Sequence, residues 1–447
     1  MTLPSMNRIR WIIVAIILLG IIERVLWNGM RTTTGAEGEA FNVARAIAEG
    51  RGFADAYRIG SGPTAHLTPV SPLIAGGVYR LFGVRSLPSE MLLATWSIGL
   101  ALGAHLLLYR AFGRIGVPRD LRLGALAWGC LAPTYISQEA VEFRVWEGGL
   151  ATFMIALFLD RLTALEAHYA AGVRARSRPA LTAAALGGAL FLINPPMGLG
   201  AIACLALVAW RRLSLGATAA TAATGAATIA LLVAPWAIRN ERVLGAPVPL
   251  RSNAGLELAL SNYDGAETVT DQRLAYLDRI DAVHPTISDA GYRRLRAVGE
   301  VAYADALGDE ALDWMARHPG RVTVQAVDHM REMIFPSVWK FDPVGQSRAS
   351  WFKVPLARLA GIVGLLGMLV ALARIGGGAW YPAIYMTTVI VLMSPFQPVV
   401  RYMYVISPVL VNFMACAGLL VPRVASVRRD AAVSRTASSR SSRRRSA

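Results

Sequence analysis

The sequence predicts an all-α polytopic membrane protein of about ten transmembrane helices, with its largest hydrophilic loops outside the cytoplasm. Two observations carry this. The chain of 447 residues is 55% apolar and only 17% charged, with a mean hydropathy of +0.45, so lipid has to be its main solvent. Its apolar residues also come in runs of roughly 17 to 25 separated by Arg-bearing breaks, the length a helix needs to cross about 30 Å of hydrocarbon. In that medium every backbone polar group must be satisfied within the segment, and a helix does so.

Hydropathy places the spans at residues 11–27, 87–112, 121–136, 145–162, 180–195, 197–210, 215–236, 354–373, 380–395 and 402–420. An even number puts both termini on one side. Arg110, Arg114 and Arg119, then Arg174, Arg176 and Arg178, then Arg211 and Arg212, then Arg374 share that side, which the positive-inside bias makes cytoplasmic. The other face receives a first loop over 28–86, a hairpin near Glu139 to Arg144, a turn at Asn194 to Pro196 and a large loop over 237–352. Arg8 and Arg10 precede the first apolar run and no small-residue cleavage site follows it, so an uncleaved first helix is expected.

The membrane-embedded module is expected over residues 1–422. About half of the net charge of +16 sits in the remainder, 423–447, which reads as a disordered cytoplasmic tail that binds lipid headgroups, not nucleic acid. Cys130, Cys204 and Cys416 are odd in number and lack a CxxC neighbour, so neither a disulfide framework nor a zinc site is indicated. The six histidines are scattered, and HExxH and GxxxxGK[ST] are absent.

Both large loops carry structure of their own. Phe41, Ala44, Ile47 and Ala48 recur at helical spacing, and Gly50 with Gly52 ends that helix. Pro69 and Pro72 lead a second short helix to Phe82, which suits the membrane interface. Residues 290–318 are helical in pattern and closed by Pro319 and Gly320, which suits a small folded cap.

The informative pattern is an acidic pair beyond the first helix, Glu37-Gly38-Glu39, followed by a short helix ending in Gly50-Arg51-Gly52-Phe53. The Pro-rich entry Pro63-Thr64-Ala65-His66-Leu67-Thr68-Pro69-Val70-Ser71-Pro72 comes next and closes at Leu81-Phe82-Gly83. Pro235-Trp236-Ala237-Ile238-Arg239-Asn240 then leaves the seventh span, Val248-Pro249-Leu250-Arg251-Ser252-Asn253-Ala254-Gly255 follows, and Arg401-Tyr402 opens the last helix. In this order the chain, from Trp11 to about Leu420, resembles the C-type (GT-C) membrane glycosyltransferases. The branch it looks most like is the bacterial one related to protein O-mannosyltransferases and lipid A aminoarabinose transferases.

That resemblance implies inverting transfer of a sugar from a polyprenyl-phosphate-linked donor to an acceptor glycan, lipid or protein. The setting it implies is the extracytoplasmic face of a bacterial plasma membrane. The departing polyprenyl phosphate is already a stable anion, so such a site needs a base for the acceptor and cations for the phosphate. The family's first-loop Asp falls at Ala36 here, which leaves Glu37 as the candidate base and Glu39 as the second. A carboxylate beside an apolar wall is expected to have its pKa raised toward neutrality. Arg239, Arg251 and Arg401 are the candidate phosphate forks. His66 is a candidate donor to phosphate or acceptor, and Asn240, Asn253 and Tyr402 are candidate substrate partners. For Glu139, Glu142 and Arg144 ion pairing is the expected role, and for Glu23-Arg24 local neutralisation. No resident cofactor is indicated, and a divalent cation held by carboxylates alone stays open.

Two other readings remain. A transporter or flippase calls for ionisable groups at mid-membrane or paired broken helices, whereas most charges here lie at helix ends. A non-catalytic assembly partner of the same fold is kept open by Ala36.

Overall fold

The computed structural model describes residues 6–29, 37–170, 177–343 and 349–421. Ala36, Arg174, Arg176 and the expected tail over 423–447 lie outside the described residues. Among those described, the chain is helical, and its only extended pairing is an isolated bridge between Ala54 and Pro63.

A helix occupies each of the ten apolar stretches, with revised ends. Four, Leu87–Arg114, Gly148–Tyr169, Leu215–Leu244 and Ser350–Arg374, are long and apolar enough to cross a membrane; Arg178–Ile193, Gly377–Met393 and Ser407–Leu420 are shorter apolar helices. The first helix, Met6–Gly29, leaves Trp11, Leu18, Leu19, Ile22, Val25 and Leu26 exposed. The helix expected to reach Ile136 stops at Leu131 because Pro133 follows. The chain continues as the short turns Pro133–Tyr135, Ile136–Ala140 and Glu142–Arg144. The last expected span is broken into Val400–Tyr404 and Ser407–Ala417, with Pro408 in the first turn of the second piece.

The largest revision is in the seventh helix. It runs eight residues past the expected Trp236 to Leu244, through Pro235, and stops where Gly245 adopts the left-handed conformation at φ 69°. Arg239 and Asn240 are therefore helical residues, not the start of a loop. Caps fix other boundaries: Ser86 Oγ accepts from the Ser89 amide at 3.3 Å, and Asn194 Oδ1 accepts from the Met197 amide at 3.3 Å ahead of Pro195.

Ser350–Arg374 packs directly on Ser407–Ala417. A Cβ added at Gly367 lies 1.8 Å from the Phe413 carbonyl oxygen, so only glycine permits that approach. Leu87–Arg114 packs along Gly148–Ala170. At one end of this bundle the Arg-bearing turns gather: Arg114 pairs with Asp160, Arg212 with Glu166 at 2.6 Å, and Arg374 donates to Leu419 O at 2.6 Å.

At the other end the two large loops fold together over the hairpin near residue 140. The first loop contributes Glu39–Ala48 and Val70–Phe82, as its spacing predicts. The large loop contributes Gln272–Val283, Asp289–Val298, Glu300–Arg317 and Pro319–Ile334, so the expected helix over 290–318 is real but broken at Gly299. One apolar core holds these pieces, drawing Phe41, Tyr57 and Leu67 from the first loop, Leu256 and Leu307 from the second, Phe143 and Trp146 from the hairpin, and Met403 and Tyr404 from the broken helix.

Two buried ion pairs anchor the hairpin. Arg24 donates to Glu139 through Nε at 2.9 Å and Nη2 at 2.5 Å and to Cys130 O at 2.6 Å, while Tyr404 donates to the other Glu139 oxygen at 2.9 Å. Arg144 meets Glu90 at 2.6 Å, and Tyr79 donates to the same carboxylate at 2.9 Å. Ion pairing holds for Glu139 and Arg144, but not with each other, and fails for Glu142: Arg24 faces Glu139 and stands 3.9 Å from its neighbour Glu23, while Glu142 accepts from Gln138 at 2.9 Å and has no ion pair among the described residues. Cys130, Cys204 and Cys416 are buried and unbridged.

Candidate active site

The two loops meet around Glu39. Gly38 precedes it at φ 88° and ψ −167°, a backbone state that side-chain-bearing residues avoid, and this turns the chain so that Glu39 opens its helix pointing inward. Ala40, Phe41, Val43 and Ala44 bury the next turn beneath it. The Glu39 carboxylate accepts from Thr286 Oγ1 at 3.0 Å and lies 3.8 Å from His284 Nε2. Both partners come from the turn after Gln272–Val283, so the contact joins the first loop to the second.

Three rings line the same joint. Tyr57 and His66 lie 4.9 Å apart and share a hydrogen bond of 3.0 Å between Oη and Nδ1, with His284 edge-on to both at 5.9 and 6.4 Å. Burial holds His66 down at about 3, with Arg251 and His284 adding to the effect against the pull of Glu39, so the imidazole is neutral. Burial likewise pushes the Tyr57 phenol up, helped by Glu300 and Glu39. For Glu39 burial works toward a higher pKa, but its electrostatic surroundings, His284 and Arg401 among them, outweigh it and hold the carboxyl below its usual range. The raised pKa expected from an apolar wall is thus reversed.

Two cations arrive from different segments. Arg251 donates through Nε to His66 O at 3.0 Å and lies 3.8 Å from Glu147. Arg401 stacks over Trp146 at 3.9 Å, and Trp146 in turn donates to Glu37 O at 3.4 Å. Asn253 donates to Glu257 at 3.1 Å, and the Tyr402 phenol stands within electrostatic reach of Glu257, Arg401 and Arg251. Beside Arg401 opens a pocket of about 260 Å³ lined among others by Gln138, Glu142, Tyr276, Trp339 and Lys340.

A second carboxylate locks this geometry. Buried Glu300 accepts from Thr64 Oγ1 at 2.5 Å, from the Ala65 amide at 2.7 Å and from Ser252 Oγ at 2.6 Å, while the Ser252 amide donates to Ala65 O at 3.0 Å. The segments that carry His66 and Arg251 are thereby clamped side by side. Taken together, the site offers an ionised carboxylate, a neutral imidazole and two guanidinium groups on one joint, which suits proton acceptance beside an anionic leaving group.

Comparison with solved structures assigns this architecture. The fold is shared with archaeal oligosaccharyltransferases. The chain aligns with the oligosaccharyltransferase AglB from Archaeoglobus fulgidus, solved with an inhibitory peptide and a dolichol-phosphate, at a TM-score of 0.54 and 14% identity, covering 95% of this chain and 52% of that one. The apo form of the Archaeoglobus fulgidus enzyme gives a TM-score of 0.51 at 14% identity, covering 94% and 51%. A form tethered to an acceptor peptide containing the NVT sequon gives 0.51 at 15%, covering 93% and 50%. The chain spans about half the length of these structures. At 14–15% identity the likeness shows a shared fold and does not reach the narrower bacterial branch. No known family's sequence profile matches the chain, and no curated protein does.

The sequence-derived candidates separate on inspection. Glu39, His66, Arg251, Asn253, Arg401 and Tyr402 converge on the joint. Glu37 is exposed and meets it only through its carbonyl. Arg239 and Asn240 are committed elsewhere: Arg239 donates to Thr64 O and Phe53 O, each at 2.6 Å, and fully buried Asn240 accepts from Arg239 at 2.9 Å and donates to Val248 O at 2.9 Å. Their work is to tie the end of the seventh helix to the first loop. His284, Thr286, Tyr57, Glu257, Trp146, Lys340 and Glu300 were not singled out by the sequence. Among the described residues, no group of three or more His, Cys, Asp or Glu side chains stands close enough to hold a metal ion.

Proposed function

We propose that this protein is a polyprenyl-phosphate-sugar-dependent glycosyltransferase of the bacterial GT-C branch. It works at the extracytoplasmic face of the plasma membrane with both termini inside. The observation that carries the reading is Glu39, a carboxylate kept ionised among His284, His66 and Arg401 at a loop joint, on a fold shared with oligosaccharyltransferases.

An acceptor hydroxyl or amine placed against Glu39 attacks the anomeric carbon. The new bond forms as the bond from that carbon to the phosphate oxygen breaks, the configuration inverts, and the acceptor's proton passes to the carboxylate. The departing polyprenyl phosphate keeps the electron pair, and Arg401 and Arg251 face its charge. With its pKa held low, Glu39 is a weak base in the ground state; it collects the proton late, when the acceptor atom has become acidic through bonding. Neutral His66 orients the acceptor, and Asn253 and Tyr402 bound the sugar.

The test is transfer from a labelled polyprenyl-phosphate sugar by purified protein. Glu39→Gln is expected to lower kcat by roughly 10²–10⁴ with little change in KM, while Glu37→Gln keeps most activity. Full turnover by Glu39→Gln, or equal loss in both variants, removes Glu39 as the base.

A further inference from the structure

The helices Ser177–Ile193, Pro195–Arg212 and Leu215–Leu244 leave a wedge between them. Only Leu213 and Ser214 separate the second from the third, yet each packs on Ser177–Ile193 in preference to the other. The wedge is a cavity of about 480 Å³, walled by Ala184 and Gly188 of the first helix, Ala206 and Ala209 of the second, and Ala222 and Gly225 of the third. Side chains this small cannot fill the gap themselves. One end is closed by a tight crossing, where a Cβ added at Gly188 meets Thr228 Cβ at 2.8 Å and Gly225 O at 2.9 Å. The side is open, since Ala206, Ala222 and Ala226 are exposed. The buried Thr221 hydroxyl in the wall donates to Ala217 O at 2.7 Å, so it makes no claim on water. An apolar void of this size does not hold ordered water, and it forfeits dispersion contacts while empty.

Depth and rim identify the occupant. From Thr218 to Ile229 the wall rises about 16 Å, close to half of a hydrocarbon core of about 30 Å. The rim at the Arg-bearing end carries Trp210, 82% exposed, and Leu215, 90% exposed; exposed Trp marks the level where hydrocarbon meets headgroups. Just beyond Ala209 come Arg211 and Arg212, and Arg178 precedes Ala184 by about 9 Å of helix. Arg212 is held by Glu166 at 2.6 Å. Arg178 and Arg211 are exposed and, among the described residues, form no ion pair; Arg211 donates to Gly377 O at 3.4 Å. The cavity thus occupies the depth of one leaflet, with positive charge at its headgroup level.

We propose that this wedge binds one anionic phospholipid of the leaflet at the Arg-bearing end, one acyl chain filling the cavity and the phosphate meeting Arg178 and Arg211. The volume agrees: 480 Å³ holds about sixteen groups of ~30 Å³ each, the bulk of one membrane acyl chain. The site lies at the opposite end of the bundle from the joint around Glu39 and is independent of the transfer chemistry.

The test places full-length protein in nanodiscs of phosphatidylcholine doped with phosphatidylglycerol that carries a photoreactive diazirine midway along one acyl chain. Labelled residues are mapped by mass spectrometry. Label is expected to concentrate on residues 184–188, 206–209 and 218–229, and unlabelled phosphatidylglycerol to compete about tenfold or more better than phosphatidylcholine. Ala206→Phe with Ala222→Phe fills the wedge and is expected to remove most of that label, while Ala220→Phe, on the same helix outside the wall, keeps it. Arg178→Gln with Arg211→Gln leaves the cavity intact and is expected to weaken the phosphatidylglycerol preference about fivefold per charge. Should the filled variant not fold, the competition and the double Arg variant decide. Label spread evenly over the exposed face of Leu215–Leu244, label undiminished in the filled variant, equal competition by phosphatidylcholine, or stronger competition by a polyprenyl phosphate overturns the proposal. No turnover is measured, so each result stands apart from the glycosyl-transfer reading.

Discussion

Glu300 offers a direct measure of what holds the two loops together. Its Oε1 accepts from the Ala65 amide and from Ser252, and its Oε2 from Thr64. Glu300→Ala removes both acceptor oxygens and with them all three hydrogen bonds. The two hydroxyls can rotate toward other partners, but the Ala65 amide cannot, and a buried unpaired amide costs about 1–3 kcal/mol. With about 1 kcal/mol for each lost hydroxyl bond, the clamp loses about 3–5 kcal/mol. Glu300→Gln keeps one oxygen for Ala65 and Ser252. Burial already raises the Glu300 carboxyl above its usual range against the opposing hydrogen bonds, so losing the charge costs little and the expected change is below about 1 kcal/mol. A raised folded pKa also means that the wild-type clamp is tightest below the ordinary carboxyl range and loosens as pH rises through the folded value, whereas the Gln variant lacks this slope. Hydrogen exchange of full-length protein, read on peptides covering residues 60–70 and corrected for intrinsic rate, is expected to quicken by on the order of 10²–10³-fold in Glu300→Ala and severalfold at most in Glu300→Gln. Equal deprotection in both variants would show that charge, not acceptor geometry, makes the clamp. Unchanged protection in Glu300→Ala would show that other contacts hold these segments.

Further outcomes follow from the same contacts. Arg401→Lys keeps the charge but gives up the planar stacking on Trp146, so donor KM is expected to rise about tenfold in the transfer assay. Arg239→Met removes two charge-assisted bonds to carbonyls and is expected to cost about 3 kcal/mol in denaturant unfolding while donor KM stays constant; a selective KM increase would restore Arg239 to the phosphate. Glu139→Gln leaves Arg24 buried without its counter-charge and is expected to cost about 3–5 kcal/mol, part of which Arg24→Met in the same chain recovers. Because Glu39 is held below its usual range, the acid limb of the pH–rate profile is expected to fall below the ordinary glutamate pKa, and a limb near neutrality would contradict the environment described for it.

The helix positions were legible because apolar runs and the Arg-bearing breaks are local signals. Their ends were less so: Arg239 to Arg242 are polar yet helix-compatible, and the true stop is Gly245. The paired fate of Glu139 and Arg144 was legible as chemistry, since bare charges beside apolar runs need partners, but Arg24 and Glu90 are far away in sequence and only packing names them. In the candidate site, the motif pointed to the loop that meets the joint, but which of Glu37 and Glu39 turns inward is set by the backbone of Gly38. His66 and His284 read as scattered residues and nevertheless share one ring cluster. Lys340 gave no signal at all, since a lone loop lysine is ordinarily solvated.

The seventh helix has a consequence for the site above it. Its 30 residues extend about 45 Å, well beyond a hydrocarbon core of about 30 Å, and only 11% of its apolar window is buried against the chain. Such a rod adjusts its tilt to the lipid around it. Its far end is moored by Arg239 to Thr64 O, two residues before His66. Any movement of the helix's far end is therefore passed through Arg239 to the backbone two residues from His66.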